Sequence, residues 1–468
     1  MLFPTLTFGW FFLLVFVLAW SLQRSNDWRK IMLLVASWIF YGAWDWRFVA
    51  LLIASGVLNW GAARLIIAAG DNERRRKAWL IAGIFINLAI LGFFKYYGFF
   101  MEQFEALLRS VGWGRDLPIM QVVLPVGISF FTFQGMSYVI DIYRRQTAPA
   151  GLLDMTLLMS FFPHLVAGPI VRASHLIPQF HQPPRLTRGM AAMGVLLIVW
   201  GLFKKTVIAS ELSTGFVDPV FFDPATHSST DLIFAAYGYA VQIYCDFSAY
   251  SDMAVGLAAL LGYRFPHNFN QPYRASSLQD FWRRWHISLS SWLRDYLYIS
   301  LGGSRNGLFR LCLALMTTML LGGLWHGASW NFVIWGALHG GVLAIERLWR
   351  EFKPKAAPDL PPILGIIITF HIVTLGWIFF RSTSFADAFA FLGGLGAGGA
   401  STLLTPLMLG LIILGMALHA LPPRAIQGVA ARVRAMPAAL VGIVAGLLIL
   451  TIDSMRPEGV APFIYYQF

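Results

Sequence analysis

Residues 308–345 read LFRLCLALMTTMLLGGLWHGASWNFVIWGALHGGVLAI. Two apolar runs, 308 to 325 and 329 to 345, are joined by a turn that places His326 among small residues. Each run approaches the roughly 20 apolar residues that a helix needs to cross a bilayer. The pair leaves one side and returns to it, as two full crossings or as a re-entrant hairpin.

Working outward, similar runs recur near 2 to 22, 31 to 43, 47 to 69, 78 to 100, 121 to 140, 152 to 171, 190 to 209, 232 to 262, 362 to 380, 403 to 421 and 437 to 452. Over the 468 residues 57% are hydrophobic and 12% charged, about half the charge that covers an ordinary soluble domain. Mean hydropathy is +0.64. The composition therefore predicts an all-α, polytopic transmembrane bundle with about 11 to 13 membrane segments, re-entrant helices included. No internal repeat and no soluble domain is visible, so residues 1–468 read as one membrane domain. The first run lacks the basic flank and small-residue cleavage site of a signal peptide, and is expected to stay as the first span.

The two cysteines, Cys245 and Cys312, sit in or beside apolar runs, which excludes a disulfide framework and zinc-type spacing. The net charge of +12 lies in short clusters between runs rather than in a continuous basic surface. That pattern speaks for orientation in a membrane and against nucleic acid.

Counting Lys and Arg in the connectors assigns sides. Arg24, Arg29 and Lys30 place the first connector inside and Met1 outside; Arg74 to Lys77 mark the next internal connector, with an outer turn near Trp44-Asp45-Trp46. Residues 101–120, with Glu102, Glu105 and Asp116 against Arg109 and Arg115, suit the outside, and Arg144 and Arg145 return the chain inside. Because Arg172, Arg185 and Arg188 are also internal, 152–171 is expected to be re-entrant, broken around Phe161-Phe162-Pro163-His164 and Gly168-Pro169. Residues 210–231, with Glu211, Asp218, Asp223 and Asp231, read as an outer connector, and the Arg-rich 264–310 as an inner one. Arg347, Arg350, Lys353 and Lys355, then Arg424, Arg432 and Arg434, are internal, which leaves the C-terminus outside.

Three places can carry chemistry. His326 is an imidazole at membrane depth, where ionisable groups are costly and usually face a cavity or a substrate path; a neutral imidazole suits general-base work. The competing reading is a structural histidine bonded to a backbone carbonyl. The stretch 281–297, FWRRWHISLSSWLRDYL, mixes aromatics with arginines, as an inner interfacial shelf would. Its Arg283 and Arg284, with Trp285 and His286 beside them, could hold the phosphates of an acyl donor, or simply anchor to anionic lipid. Asp246 and Asp252 lie six residues apart in an apolar helix, about 120° apart in facing; Asp246 is expected to orient a histidine or pair with an arginine. His164, His339, His371 and His419 stand without a neighbouring motif and read as helix contacts. No Walker loop, nucleophile elbow or His-Glu-x-x-His motif is present.

The WHGASWNF segment, DFSAYSDMA at 246–254, NFNQPYRASSLQDFWRRWHISLSSWLRDYLYISLGGSR at 268–305 and the terminal PFIYYQF at 462–468 together resemble the membrane-bound O-acyltransferase family. The likeness runs nearly the full length, is densest over about 121–349, and is nearest to the bacterial alginate O-acetyltransferase-like branch. It implies a helical bundle around a central funnel, with His326 in the position of the family's invariant histidine and His286 in that of its second motif histidine. Trp325 and Asn331 flank the first, and Asp246, Arg283, Arg284 and Trp285 are the supporting or donor-binding candidates. The resemblance further implies a bacterial inner-membrane enzyme with no bound cofactor or metal. Acetyl-CoA would be the co-substrate, extracytoplasmic proteins the partners, and an exported polysaccharide the acceptor: alginate, cellulose, another exopolysaccharide or peptidoglycan. His326 is expected to act as general base, or alternatively as a nucleophile carrying the acetyl group. A transporter and a non-catalytic scaffold are the readings from other classes.

Overall fold

The computed structural model describes residues 1–113, 120–305, 307–354, 358, 360–455 and 463–464. Arg115, Asp116, Lys355, Pro462 and residues 465–468, all used in the sequence reading, lie outside them. Every regular element among the described residues is helical, so the chain is all-α. Among the described residues five helices are long and apolar enough to cross a membrane: Arg47–Ala68, Glu73–Ser110, Arg188–Phe222, Leu308–His326 and Pro362–Arg381. A sixth is added if Pro406–Ala420 and Arg424–Ala435, bent by 88°, form one broken span. This is a multi-pass membrane protein. The other apolar runs include the shorter helices Leu6–Ser21 and Ala438–Ser454 and the core helix Ile128–Tyr143, which buries every residue from Ile128 to Ile142.

The chain divides into two compact units, residues 1–186 with 258–265, and residues 187–257 with 266–468. In the first, Leu6–Ser21 and Asn26–Asp45 lead into the apolar Arg47–Ala68, which packs against Glu73–Leu91 and Ile128–Tyr143. Asn59 and Asn87 join two of these helices by reciprocal amide hydrogen bonds of 3.2 and 2.8 Å, the kind of polar contact that holds helices together in lipid. The expected break falls at Phe161, between Leu152–Ser160 and Phe162–Leu165, and residues 154–171 are all buried. Irregular backbone at membrane depth is stable only where protein covers it in this way.

Arg29 and Lys30, which the charge count treated as loop markers, are buried. Arg29 donates from Nε to the Ala19 carbonyl at 3.2 Å, from Nη1 to the Tyr263 hydroxyl at 2.7 Å, and from Nη2 to the Leu261 carbonyl. Lys30 Nζ lies 2.9 Å from Asp154, whose second oxygen is 2.9 Å from His181 Nε2.

In the second unit the expected outer connector 210–231 is mostly helix. The run from Arg188 continues to Phe222 through two widened turns, Lys204–Ala209 and Ser213–Val217. Asp218 is accommodated there because Arg381 neutralises it at 2.6 Å. Residues 223–228 then lead into the 32-residue helix Ser229–Leu260. The 264–310 stretch holds only short helices, Pro272–Arg274, Leu278–Arg284 and Ile287–Trp292, before the turn Leu293–Tyr298.

Residues 308–345 form the expected helical hairpin, Leu308–His326 followed by Trp330–Phe352. Its arms touch at backbone distance: a Cβ on Gly323 would lie 2.2 Å from the Phe332 carbonyl oxygen, and one on Gly336 2.5 Å from that of Met319. Small residues at such a crossing are what allow van der Waals packing to hold two apolar helices together. The short helix Phe385–Gly394 was not expected from the sequence. Pro406–Ala417, Pro423–Ala435 and Ala438–Ser454 complete the unit.

Candidate active site

His326 is the last residue of its helix. Gly327 follows in extended conformation, and Ser329 restarts the chain by accepting a hydrogen bond from the Asn331 amide. The Trp-His-Gly-Ala-Ser sequence is therefore a capped turn that fixes the imidazole at the tip of the hairpin. His326 is 3% exposed. Three aromatic rings surround it edge-on: Trp325 at 5.0 Å, Trp335 at 5.0 Å and Phe380 at 5.1 Å.

His286 is fully buried and starts the helix Ile287–Trp292 from a left-handed backbone, φ 43°. Its ring packs edge-on to Phe247 at 4.6 Å and to Trp325 at 5.9 Å. Trp325 thus contacts both motif histidines. Asn268 Oδ1 accepts from the Ser288 backbone amide at 3.1 Å and lies 3.3 Å from His286 Nδ1. The backbone donor fixes that atom as an oxygen, so His286 must donate from Nδ1.

The other candidates separate. Trp325 and Asn331 belong to the hairpin turn; Asn331 donates to the Ser382 carbonyl at 2.8 Å, tying the turn to the end of Pro362–Arg381. Trp285 is a core residue, packed against Phe269 at 5.1 Å and Trp377 at 5.0 Å. Arg284 makes a two-oxygen contact with Asp280, at 3.0 and 2.9 Å, while Arg283 is exposed. Among the described residues Asp246 meets neither a histidine nor an arginine. Lys205 lies 2.8 Å from one of its oxygens, and the other accepts from the Ile464 backbone amide at 3.0 Å.

Sequence reasoning passed over the lysines. Lys204 and Lys205 occupy the widened turn in the middle of an apolar run, and Lys204 pairs with Asp252 at 2.7 Å. Two consecutive cations in such a run require buried anions, and the aspartates six residues apart on Ser229–Leu260 supply them. His339 lies beyond Trp335 from His326, the Trp335 and His339 rings being 4.5 Å apart. Trp282 Nε1 donates to His339 Nδ1 at 3.2 Å, which leaves the proton of a neutral ring on Nε2. Among the described residues no group of three or more His, Cys, Asp or Glu is placed to hold a metal ion.

This arrangement, a buried histidine at a capped hairpin tip with a second histidine across a shared tryptophan, coincides with a family match. Residues 141–386, more than half of the chain, match the model of the membrane-bound O-acyltransferase family. The chain belongs to that family. Relatives include a protein named “Probable alginate O-acetylase AlgI” from Azotobacter vinelandii, 44% identical over 329 residues, 70% of this chain and 64% of the relative. The protein of the same name from Pseudomonas aeruginosa is also 44% identical over 329 residues, covering 70% and 62%. A “Peptidoglycan O-acetyltransferase” from Helicobacter pylori is 38% identical over 374 residues, covering 74% and 69%. The chain spans a little under two thirds of the length of the two alginate O-acetylases it matches. The O-acyltransferase match takes in the hairpin, both motif histidines, the Asp246–Lys205 pair and Arg381.

Proposed function

We propose that this O-acyltransferase family member is a membrane-embedded O-acetyltransferase that takes an acetyl group from a cytoplasmic thioester, acetyl-CoA, and delivers it for O-acetylation of an exported polysaccharide. The setting is the bacterial inner membrane, with extracytoplasmic proteins as partners in the transfer. Alginate and peptidoglycan are the acceptors named for relatives of this chain. Cellulose and other exopolysaccharides remain within the same chemistry.

The observation that carries this reading is the His326 site: a buried imidazole at a hairpin tip, walled by Trp325, Trp335 and Phe380. His326 takes the proton of the attacking hydroxyl as its oxygen bonds to the acetyl carbonyl carbon. The carbon–sulfur bond then breaks, and the proton passes to the departing thiolate. General-base action of this kind contributes about 10²- to 10⁴-fold, and holding donor and acceptor in line supplies much of the remainder. His286, committed through Nδ1 to Asn268, offers a lone pair at Nε2 when neutral. That polarity suits orienting a donor or a hydroxyl better than stabilising an oxyanion, which needs a hydrogen on the facing nitrogen. Of the shelf arginines, exposed Arg283 suits a phosphate of the donor, whereas Arg284 is already committed to Asp280.

The test is transfer of label from radioactive acetyl-CoA by the purified protein in liposomes, comparing wild type with a folded His326→Ala variant. Loss confined to the variant supports the reading. Equal turnover in both removes His326 from the chemistry, and a labelled acetyl group trapped on His326 replaces the general base with a covalent route.

A further inference from the structure

Phe380, Arg381 and Ser382 connect His326 to a polar cluster that the proposed mechanism does not use. The Phe380 ring packs on the His326 imidazole, and the Ser382 carbonyl accepts from Asn331 Nδ2. Between them, Arg381 donates from Nη2 to Asp218 at 2.6 Å, and its guanidinium lies 6.0 Å from the centre of the Phe221 ring. Tyr239 packs on the same ring at 5.6 Å and is fully buried. Its hydroxyl is within electrostatic reach of Arg381 and Asp218. The second Asp218 oxygen accepts from Ser213 Oγ at 2.5 Å, so this carboxylate is committed on both sides.

Three buried polar atoms in this neighbourhood have no hydrogen-bond partner among the described residues: Arg381 Nε, the Tyr239 hydroxyl and Asn331 Oδ1. Leaving such groups unsatisfied is expensive, and these three are linked to one another and to His326 through Phe221 and residues 380–382, which marks a place built for a ligand. Their chemistry is mixed. Arg381 Nε can only donate, Asn331 Oδ1 can only accept, and the phenol does both. Neighbouring hydroxyls on one ring, each of which donates and accepts, complement that set. A phosphate or carboxylate would want donors alone, and Arg381 is already neutralised by Asp218. A single peptide hydroxyl would leave most of the set unused.

We propose that Tyr239, Arg381 and Asn331 form a hydroxyl-binding subsite beside His326 that positions a sugar ring of the acceptor, with Asp218 fixing the Arg381 guanidinium. This rests on the acetyl-transfer reading above and adds to it the residues that recognise the acceptor. In the charge-based topology the helix ends at Phe222 and Arg381 fall on the outer side, where an exported glycan is met.

The test uses the full chain in liposomes with acetyl-CoA as donor and a mannuronate tetrasaccharide or cellotetraose as acceptor. Tyr239→Phe is expected to raise the acceptor KM about 5- to 10-fold, the worth of one hydrogen bond, and to leave the acetyl-CoA KM within twofold. Arg381→Lys, which keeps the charge and loses Nε, is expected to do the same and stands in should Tyr239→Phe fail to fold. Unchanged acceptor KM in both variants overturns the subsite, as does a parallel change in both KM values, which indicates a structural role. Wild-type thioester turnover that labels only a serine-bearing peptide, or no saccharide, overturns it too. No thioester turnover by wild type overturns the acetyl-transfer reading itself.

Discussion

The two units bury polar groups to opposite ends. In residues 1–186 the buried cations are spent on protein: Arg29 on two carbonyls and Tyr263, Lys30 on Asp154, and the Asn59 and Asn87 amides on each other. In the second unit Lys204 and Lys205 are paired in the same manner, yet Tyr239, Asn331, Trp335, His339, Thr374 and Arg381 each keep a buried polar atom without a partner among the described residues, against Asn26, Arg76 and His164 in the first. Satisfied networks rigidify and specify a fold, whereas unsatisfied groups cost stability and persist where a ligand or reaction uses them. Among the described residues such groups are more numerous in the second unit, which therefore carries more of the signature of chemistry.

The sharpest way to break that comparison is at the hairpin tip. His326→Ala should cut acetyl transfer by about 10²- to 10⁴-fold while the thermal midpoint in detergent stays near that of wild type. A large drop in midpoint instead would make His326 a packing residue and erase the distinction. Next in size are the ion pairs. Lys205→Met strands Asp246 and is expected to cost about 3–5 kcal/mol of stability, the penalty for an uncompensated buried charge, whereas Asp154→Ala costs less because Lys30 keeps Asp27 at 3.0 Å. Denaturant titration of both variants checks this, and an equal loss in the two would overturn it.

The hairpin supplies a smaller effect. Gly323→Ala drives a methyl group to 2.2 Å from the Phe332 carbonyl oxygen, so the arms must separate, at about 1–3 kcal/mol. Because the crossing lies three residues before His326, activity should fall together with stability, which thermal melts and turnover measured on the same preparation would reveal.

What was legible in the sequence follows the same division. The hairpin and the break at Phe161 could be read because helix breakers and small residues are local signals; His326 stood out as a histidine in an apolar run, and His286 only through the family resemblance. The partners of the buried charges could not, because pairing joins positions far apart in the chain: Lys30 with Asp154, Lys205 with Asp246, Asp218 with Arg381. Arg29 and Lys30 looked like loop markers since composition carries no record of burial. Asp218 looked like loop for a related reason, its neutralising cation being 163 residues away. Tyr239 carries no motif at all, and only the packing of Phe221 against both it and Arg381 draws attention to it.

The smallest expected effect tests the scaffold half of the comparison. Asn59→Leu leaves the Asn87 amide facing a side chain that cannot bond it, and Asn87→Leu does the converse, so each single variant loses the pair and strands one group. The double variant strands neither and should recover much of the loss, since replacing both members of a buried pair with apolar groups of similar shape is nearly neutral. Each amide also donates within its own helix, to the Ser55 and Gly83 carbonyls at 2.8 Å, which softens the single losses. A double-mutant cycle should therefore return a coupling near 0.6 kcal/mol, the usual worth of such a bond between membrane helices. Zero coupling would mean that the pair holds nothing, and that in this unit, as in the other, a buried polar contact is not by itself evidence of scaffold.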